Sequence, residues 1–427
     1  MQKLLIATSL LFSACYRDNS HYCAGNPDNN CNQTGSNDGG IDGNEAISCV
    51  NTGCVGNAAG SVCDTATKAC VQCTPGSSGD HSACSGTAPV CKSDACTACT
   101  ANSDCPDSNT CLPTGACAAA TDVAYVDSSV ATGGTCGMAD PCKTIAVALS
   151  GTKSIIRVTG VTTETQGLSL SRNVTIIGEH TTDTTTAAAK QTITSGASYG
   201  ATVVITVPAP YILTMVDMAI DGMGTALDGL DSAGTVTLNH CSISNTTRYG
   251  LSSTAGMVTV QRSTINSNKI AGLSLSNSTF AIDNSFVVHN GDINQTTAFG
   301  GIYISASTGT LAFSTIAKNV TLNSTARGVT CSTASTLTFT SNIVYYNTNG
   351  PFSGNCAWNH SELDGTLPAG AGNIGDAPAF VDLAGDDFHL NMNSPGANAG
   401  SGTLKLDIDA QVRPMGTGPD IGADEVQ

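Results

Sequence analysis

The sequence predicts an all-β solenoid, a parallel β-helix made of stacked coils of chain, and three observations carry that reading. The first is an internal repeat. An aliphatic anchor recurs as Ile220, Ile243, Ile265, Val287, Ile316 and Val344, at intervals of 23, 22, 22, 29 and 28 residues. The second is strand periodicity. Five residues before the anchors stand Met215, Leu238, Val260, Ile282, Leu311 and Phe339, in runs that alternate apolar and polar (Val236, Leu238; Val258, Val260; Phe280, Ile282), with no helical spacing. The third is punctuation. A polar corner follows each anchor, and a further segment opens on Gly229, Gly250, Gly272, Gly301 or Gly328. Short strands with this period cannot bury a face alone. Stacking seals each coil against the next and pairs every strand above and below.

Three residues after the anchors come Met223, Thr246, Asn268, Asn290, Asn319 and Asn347. In a stack they form one column, where side-chain amides can hydrogen-bond along a ladder. These Asn residues are expected to be architecture and not a binding site.

Composition agrees with stacked strands. Among 427 residues, 46 are Gly, 4% are aromatic and 11% are charged, which suits tight turns and not a helical enzyme. A formal charge of −17 argues against a nucleic-acid partner, which needs a basic face. No apolar run reaches the roughly 18 residues required to span a bilayer.

Residues 1–14 read as an export signal, with Lys3, an apolar run from Leu4 to Phe12, and Ser13-Ala14 before Cys15. The segment Leu11-Phe12-Ser13-Ala14-Cys15 resembles a bacterial lipobox, which implies acylation of Cys15; Phe12 stands where Leu is usual, and ordinary signal cleavage is the alternative. Tyr16 replaces the Asp that favours inner-membrane retention. The resemblance therefore implies a lipid anchor in the outer membrane or at the cell surface of a Gram-negative bacterium. Residues 15–48, rich in Asn, Gly, Asp and Ser, read as a flexible tether.

Residues 49–118 hold twelve of the 20 Cys, and Cys63-x6-Cys70-x2-Cys73 is echoed by Cys91-x4-Cys96-x2-Cys99. Two CxxC pairs would suit zinc in an intracellular protein. Export, an even count and few apolar residues favour a disulfide-stapled module, so no metal is expected. The stretch Cys84 to Cys91, Ser103-Asp104-Cys105 and Gly115-Ala116-Cys117 resembles the Cys-rich stalk repeats of myxobacterial and related surface proteins, which implies a spacer or adhesion element.

Residues 122–360 carry the solenoid and its N-terminal cap. Tyr125-Val126-Asp127 reads as a strand, and the run from Pro141 to Leu149, with Gly151 beyond, as a short amphipathic helix. With Ile155-Ile156-Arg157-Val158 and Val174-Thr175-Ile176-Ile177-Gly178 this resembles the opening of pectin-lyase-like right-handed β-helix proteins, whose entry helix caps the first coil. That family has an aromatic where Cys142 stands, and Cys136 and Cys142 are expected to bridge. Cys331 and Cys356 are a second expected pair. Cys241 is left over, as a semi-buried thiol and not a nucleophile.

Residues 361–427 end the chain. Ala377-Pro378-Ala379-Phe380-Val381-Asp382, Asp387-Phe388-His389-Leu390, Arg413-Pro414 and Pro419-Asp420-Ile421-Gly422-Ala423-Asp424-Glu425 resemble the C-terminal region of choice-of-anchor Q β-helix proteins, with Asp424 in place of an aromatic. The resemblance implies an exported, often surface-attached protein. Pro378, Phe380, Phe388 and Leu390 are expected to cover the last coil, and Asp420 and Glu425 to face water.

Two candidate sites follow from the repeat. The position three residues before the anchor holds Asp217, His240, Arg262, Asn284, Phe313 and Ser341. Stacking would make Asp217, His240 and Arg262 neighbours, able to bind an acidic sugar or to do acid–base work. The alternative is a solvated corner worth about 0–1 kcal/mol. The second candidate comes from corner length. Anchor-to-Gly spacing is 7 in two coils, then 14 and 12, so insertions at 292–299 and 321–327 emerge on one side. Asp292, Phe299 and Arg327 are its ligand candidates, against harmless drift in loop length. The Asn-Thr-Asp, Gly-His-Gly and Arg-Ile-Lys signatures of polygalacturonases are missing from the coils, as is the acidic calcium cluster of pectate lyases. The expected function is a non-catalytic envelope protein for adhesion or polysaccharide binding, without cofactor. A polysaccharide lyase or glycoside hydrolase is the rival.

Overall fold

A computed structural model describes residues 54–427, apart from 55–56, 58, 61, 68, 75–82, 132, 180–190, 197–199, 201 and 333–334. The signal, Cys15 and the tether lie outside the described residues.

Three parallel sheets wrap one core. Sheet A has ten strands, from Val123–Asp127 to Trp358–Asn359; sheet B has nine, from Val161–Glu164 to Glu362–Leu363; sheet C has eight, from Leu168–Ser169 to Phe352–Gly354. The chain visits them in turn, for example Thr235–Asn239 in A, Ser242–Ser244 in B and Tyr249–Thr254 in C. In sheet B the anchors pile in register from Ile220 through Ile243, Ile265, Val287 and Ile316 to Val344, all fully buried. The column extends to Ile193 and Thr162 at one end and Leu363 at the other. These coils escape the sequence repeat because their intervals are 31, 27 and 19 residues, and because Thr162 replaces an aliphatic.

The expected Asn ladder forms. Each amide accepts from the preceding coil and donates onward: Asn268 Nδ2 to Asn290 Oδ1 at 2.9 Å, Asn290 Nδ2 to Asn319 Oδ1 at 3.1 Å, and Asn319 Nδ2 to Asn347 Oδ1 at 2.9 Å. Thr246 ends it through its hydroxyl, 2.8 Å from Asn268 Oδ1.

A second ladder at the A–B corner was not foreseen. The corner residues Asp217, His240, Arg262, Asn284, Phe313 and Ser341 all adopt left-handed backbone with φ between +45° and +58°, which turns the chain within one residue. After the corners from His240 onward come the small side chains Cys241, Ser263, Ser285, Ser314 and Asn342, whereas Met218 follows Asp217. Ser285 Oγ accepts the Ser263 N–H at 3.2 Å and donates to Asp283 O at 2.7 Å. Ser314 Oγ accepts from Ser285 N–H at 3.3 Å. Cys241 occupies the first rung. Its N–H donates to Ser263 Oγ at 3.0 Å, and its thiol lies 3.4 Å from Asn239 O, where serines elsewhere make the same contact. The leftover cysteine is thus a sulfur rung of a serine ladder, buried and not semi-buried. Cys241→Ser is expected to change stability by less than about 1 kcal/mol in urea unfolding; a larger loss would show that the site needs sulfur.

The N-terminal end is closed by the helix Ile145–Ser150, with Thr144 as its N-cap and Gly151 as its C-cap. Coil residues satisfy both helix ends. The buried Glu164 accepts the Ile145 N–H at 2.8 Å and the Ala146 N–H at 3.3 Å, while Arg172 donates to Leu149 O at 2.7 Å. Cys136 is bridged to Cys142, and Cys331 to Cys356, as expected.

The Cys-rich segment is all disulfide where described, with Cys54–Cys70, Cys73–Cys91, Cys84–Cys96, Cys99–Cys111 and Cys105–Cys117. Cys63 is bonded as well. Cys73, Cys84, Cys91 and Cys96 pair first with third and second with fourth, and Cys99, Cys105, Cys111 and Cys117 repeat that order. The sequence echo therefore needs correcting. Each CxxC straddles a junction between units, so its two sulfurs belong to different staples and neither pair is a chelate. The last unit docks on the first coils through Tyr125 Oη to Ser108 O at 2.6 Å and Asn102 Nδ2 to Gly178 O at 3.0 Å.

The C-terminal tail departs most from expectation. It does not merely cover the last coil. Phe380, Phe388, Leu390, Ile408, Ile421 and Ala423 pack sideways on the outer face of sheet B, against Phe286, Val288, Ala317 and Ile343. Asp420 and Glu425 do not face water: both are buried, and they bind backbone N–H groups. Asp420 Oδ2 accepts from Val426 at 2.7 Å, and Glu425 accepts from Met415 and Asp420, each at 2.9 Å. Within this knot Arg413 is buried and donates to Asp420 O at 2.7 Å and Gly422 O at 3.1 Å.

Candidate functional site

The two insertions emerge together at the B–C corner, where sequence spacing puts them. Preceding coils turn here in fewer residues, and the step leaves an open recess of about 410 Å³ lined by Asp221, Met223, Gly224, Asn245, Thr246, Ser267 and Lys269. Left-handed backbone at Met223, Asn245 and Ser267, with φ of 51°, 58° and 58°, makes these turns tight. Asp221 is held in place by Asn245 Nδ2 at 3.0 Å and the Met223 N–H at 2.8 Å. Opposite charges, an amide and a thioether thus share one concavity. Such a mixture suits a hydroxyl-rich ligand that takes hydrogen bonds at its edges and apolar contact on its faces.

Of the insertion residues, Phe299 has the clearest surface role. Its ring lies 4.1 Å from that of Tyr303 on the outer face of sheet C. On an earlier coil of that sheet, Arg248 sits 5.1 Å above the Tyr249 ring and pairs with the buried Asp228. Asp292 is a turn former. Its carboxylate accepts the Asn294 N–H at 2.8 Å, which with the Asn294 and Gln295 side chains holds its pKa below the usual value. Arg327 is turned onto its own loop and donates to Ser324 O at 2.7 Å. Asp292 and Arg327 thus shape their own loops, and Phe299 packs on Tyr303.

The A–B corner column resolves into separate parts. His240 Nδ1 lies 2.5 Å from Asp217 Oδ1, so stacking does pair them. Arg262 donates to Asn239 Oδ1, beside His240, at 2.9 Å. Asp217 and His240 are thus in contact, and Arg262 is held on the residue next to His240. Higher in the column the tail covers the corner: Asn284 donates to Leu406 O at 2.8 Å, Phe313 lies 4.5 Å beneath Arg413, and Ser341 donates to Ser401 O at 2.9 Å.

Where the tail edge meets sheet B, a second recess of about 400 Å³ holds Asn266, Phe286, His289, Asp386, Asp387 and His389. His389 bridges Asp387 at 2.5 Å and Asp409 at 2.9 Å. These carboxylates, Asp409 foremost, raise its pKa to about 9 against the opposing effect of burial. His389, Asp409 and Asp424 place ligand atoms close enough for a metal. A protonated imidazole has no lone pair to offer, however, and already supplies the positive charge between the acids. The cluster is an ion-pair clasp on the tail.

Glu362, on the last strand of sheet B, is fully buried, and neither carboxylate oxygen has a hydrogen-bond partner among the described residues. Burial, helped by the charge of Asp376, raises its pKa to about 8. The folded chain then keeps a proton that the unfolded chain loses above pH 4.5, so stability is lost as pH rises from about 4.5 to 8, by about 5 kcal/mol at most. Melting temperature is expected to fall across that window in the native chain and to flatten in Glu362→Gln. Equal slopes in the two proteins would refute the assignment.

The family description "Right handed beta helix region" matches residues 229–367. The solenoid is a right-handed parallel β-helix. Among solved structures, that of pectate lyase Pel9A aligns with a TM-score of 0.31 and 14% sequence identity, over 71% of this chain and 96% of that one. No curated protein matches the chain.

Proposed function

We propose that this is an exported, lipid-anchored envelope protein whose β-helix binds a polysaccharide at the B–C corner without cleaving it. The supporting observation is the recess over the short B–C turns, where Asp221, Asn245, Ser267 and Lys269 stand beside Met223. The Phe299–Tyr303 pair on the adjoining face adds a stacking platform of the kind sugar rings use. A chain with a formal charge of −17 repels polyanions, so the glycan is read as neutral. Asp221 is committed to two donors and serves as an oriented acceptor, while Asp217 and His240 stand at a different corner. Anchoring rests on Cys15 and on the apolar run before it.

The test is to incubate the mature chain with neutral and acidic polysaccharides, reading retention together with release of reducing or unsaturated ends. Retention on a neutral glycan without release is expected, weakened about tenfold in Lys269→Ala and in Phe299→Ala. Release of ends that disappears in Asp217→Ala or His240→Ala would replace this reading with the lyase or hydrolase. No retention on any glycan would end it.

A further inference from the structure

We propose that the outer face of sheet A is an ice-binding surface. In successive coils its first outward row reads Ile212, Thr235, Met257, Thr279, Thr308 and Thr336, and its second reads Thr214, Thr237, Thr259, Ala281, Thr310 and Thr338. Nine of these twelve positions are Thr and none is charged, so these two rows are neutral and hydroxyl-bearing; a third outward row, Val216, Asn239, Gln261, Asp283, Ala312 and Thr340, borders them and carries one half-buried carboxylate, Asp283. Strand preference alone does not explain it. The equivalent outward row on sheet C reads Asp231, Ser252, Ser274, Tyr303 and Thr330, in strands stacked the same way.

The occupant follows from the chemistry of the array. Strand geometry sets the hydroxyls about 4.8 Å apart along the solenoid and about 6.7 Å apart across a strand, a two-dimensional lattice. β-Branching restricts each Thr to few rotamers, so the lattice is rigid before anything binds. Neither row contains an aromatic on which a sugar ring could stack, and none of these Thr hydroxyls is bonded to another protein group among the described residues. They are left to order water, each with a methyl beside it. A rigid, neutral lattice of hydroxyls on this scale is complementary to the oxygen lattice of ice, whose surface is equally uncharged and periodic. The face is also open. Thr279, Thr308, Thr310, Thr336 and Thr338 are exposed, while the tail lies on sheet B and the Cys-rich unit docks at the first coils.

The experiment uses the mature full-length chain and ice itself as the probe, with two readouts: partition into a slowly grown ice front and inhibition of recrystallisation. The native chain is expected to enter the ice and keep crystals small. Thr259→Tyr and Thr310→Tyr, each placing a ring in the middle of the plane, are expected to lose both effects with unchanged circular dichroism. Ser274→Tyr on sheet C and Lys269→Ala in the recess are expected to retain them, which separates this face from the glycan site. Exclusion of the native chain from ice overturns the proposal, as does equal loss in Ser274→Tyr. Retention on a crystalline neutral glycan, lost in Thr310→Tyr without any effect on ice, overturns it in favour of a solid polysaccharide. Should the Tyr variants unfold, Thr310→Val keeps shape and removes the hydroxyl, and full ice activity in that variant counts against the hydroxyl lattice.

Discussion

Asn290→Ala lowers the unfolding free energy by about 3–5 kcal/mol, with the midpoint of urea unfolding falling accordingly. The side chain sits at the centre of the ladder. Its oxygen accepts from Asn268 N–H at 3.1 Å and Asn268 Nδ2 at 2.9 Å, while its amide donates to Ile265 O at 2.8 Å, Val288 O at 3.0 Å and Asn319 Oδ1 at 3.1 Å. Ala removes all five bonds and fills none of the space. Backbone groups of two coils then lie in a dry core without partners, at about 1–3 kcal/mol each. Asn290→Asp fares no better, because a buried carboxylate meets carbonyl oxygens where the amide met them as a donor. A loss below about 1 kcal/mol in Ala would show that the ladder adds little beyond the sheets.

Arg413→Ala should have a comparable effect, confined to the tail. The guanidinium is buried, donates to two backbone carbonyls, lies 3.6 Å from Glu425 and stacks 4.5 Å above Phe313. Burial lowers its pKa while Glu425, Asp407 and Asp420 oppose that shift, so the charge is held by its neighbours. Removing it strands a buried carboxylate, at about 3–5 kcal/mol. The tail should then lift from sheet B and uncover Phe286, Val288 and Ile343, seen as new protease cleavage after residue 376 and as binding of a hydrophobic dye. Lys cannot reach both carbonyls and stack on the ring, so Arg413→Lys should not restore the tail. A variant tail as protease-resistant as the native one would refute this account.

The coil core was legible because its information is local. One coil is one repeat, and the spacing of Ile243, Ile265 and Val287 is the stack itself. The recess was half legible: corner lengths marked the side of the rod, but not that the concavity would sit over the short turns. The tail was not legible, since its contacts join residues more than a hundred positions apart, such as Asn284 with Leu406. A signal was nonetheless present. Outward positions of sheet B read Ser242, Ser244, Thr264 and Asn266, then turn to Phe286 and Val288 where the tail begins to cover them. Likewise Phe313, in left-handed backbone at a corner, looks misplaced until Arg413 is set upon it. The serine ladder was missed because Ser at a corner is ordinary turn chemistry, and only the register shows that Ser263, Ser285 and Ser314 answer one another.

The interleaved staples of the Cys-rich segment determine how it answers traction. With Cys73 joined to Cys91 and Cys84 to Cys96, a pull along the chain is relayed across sulfur, and the loops behind the bridges stay slack. Such a segment is close to inextensible while oxidised and pays out its stored length once reduced.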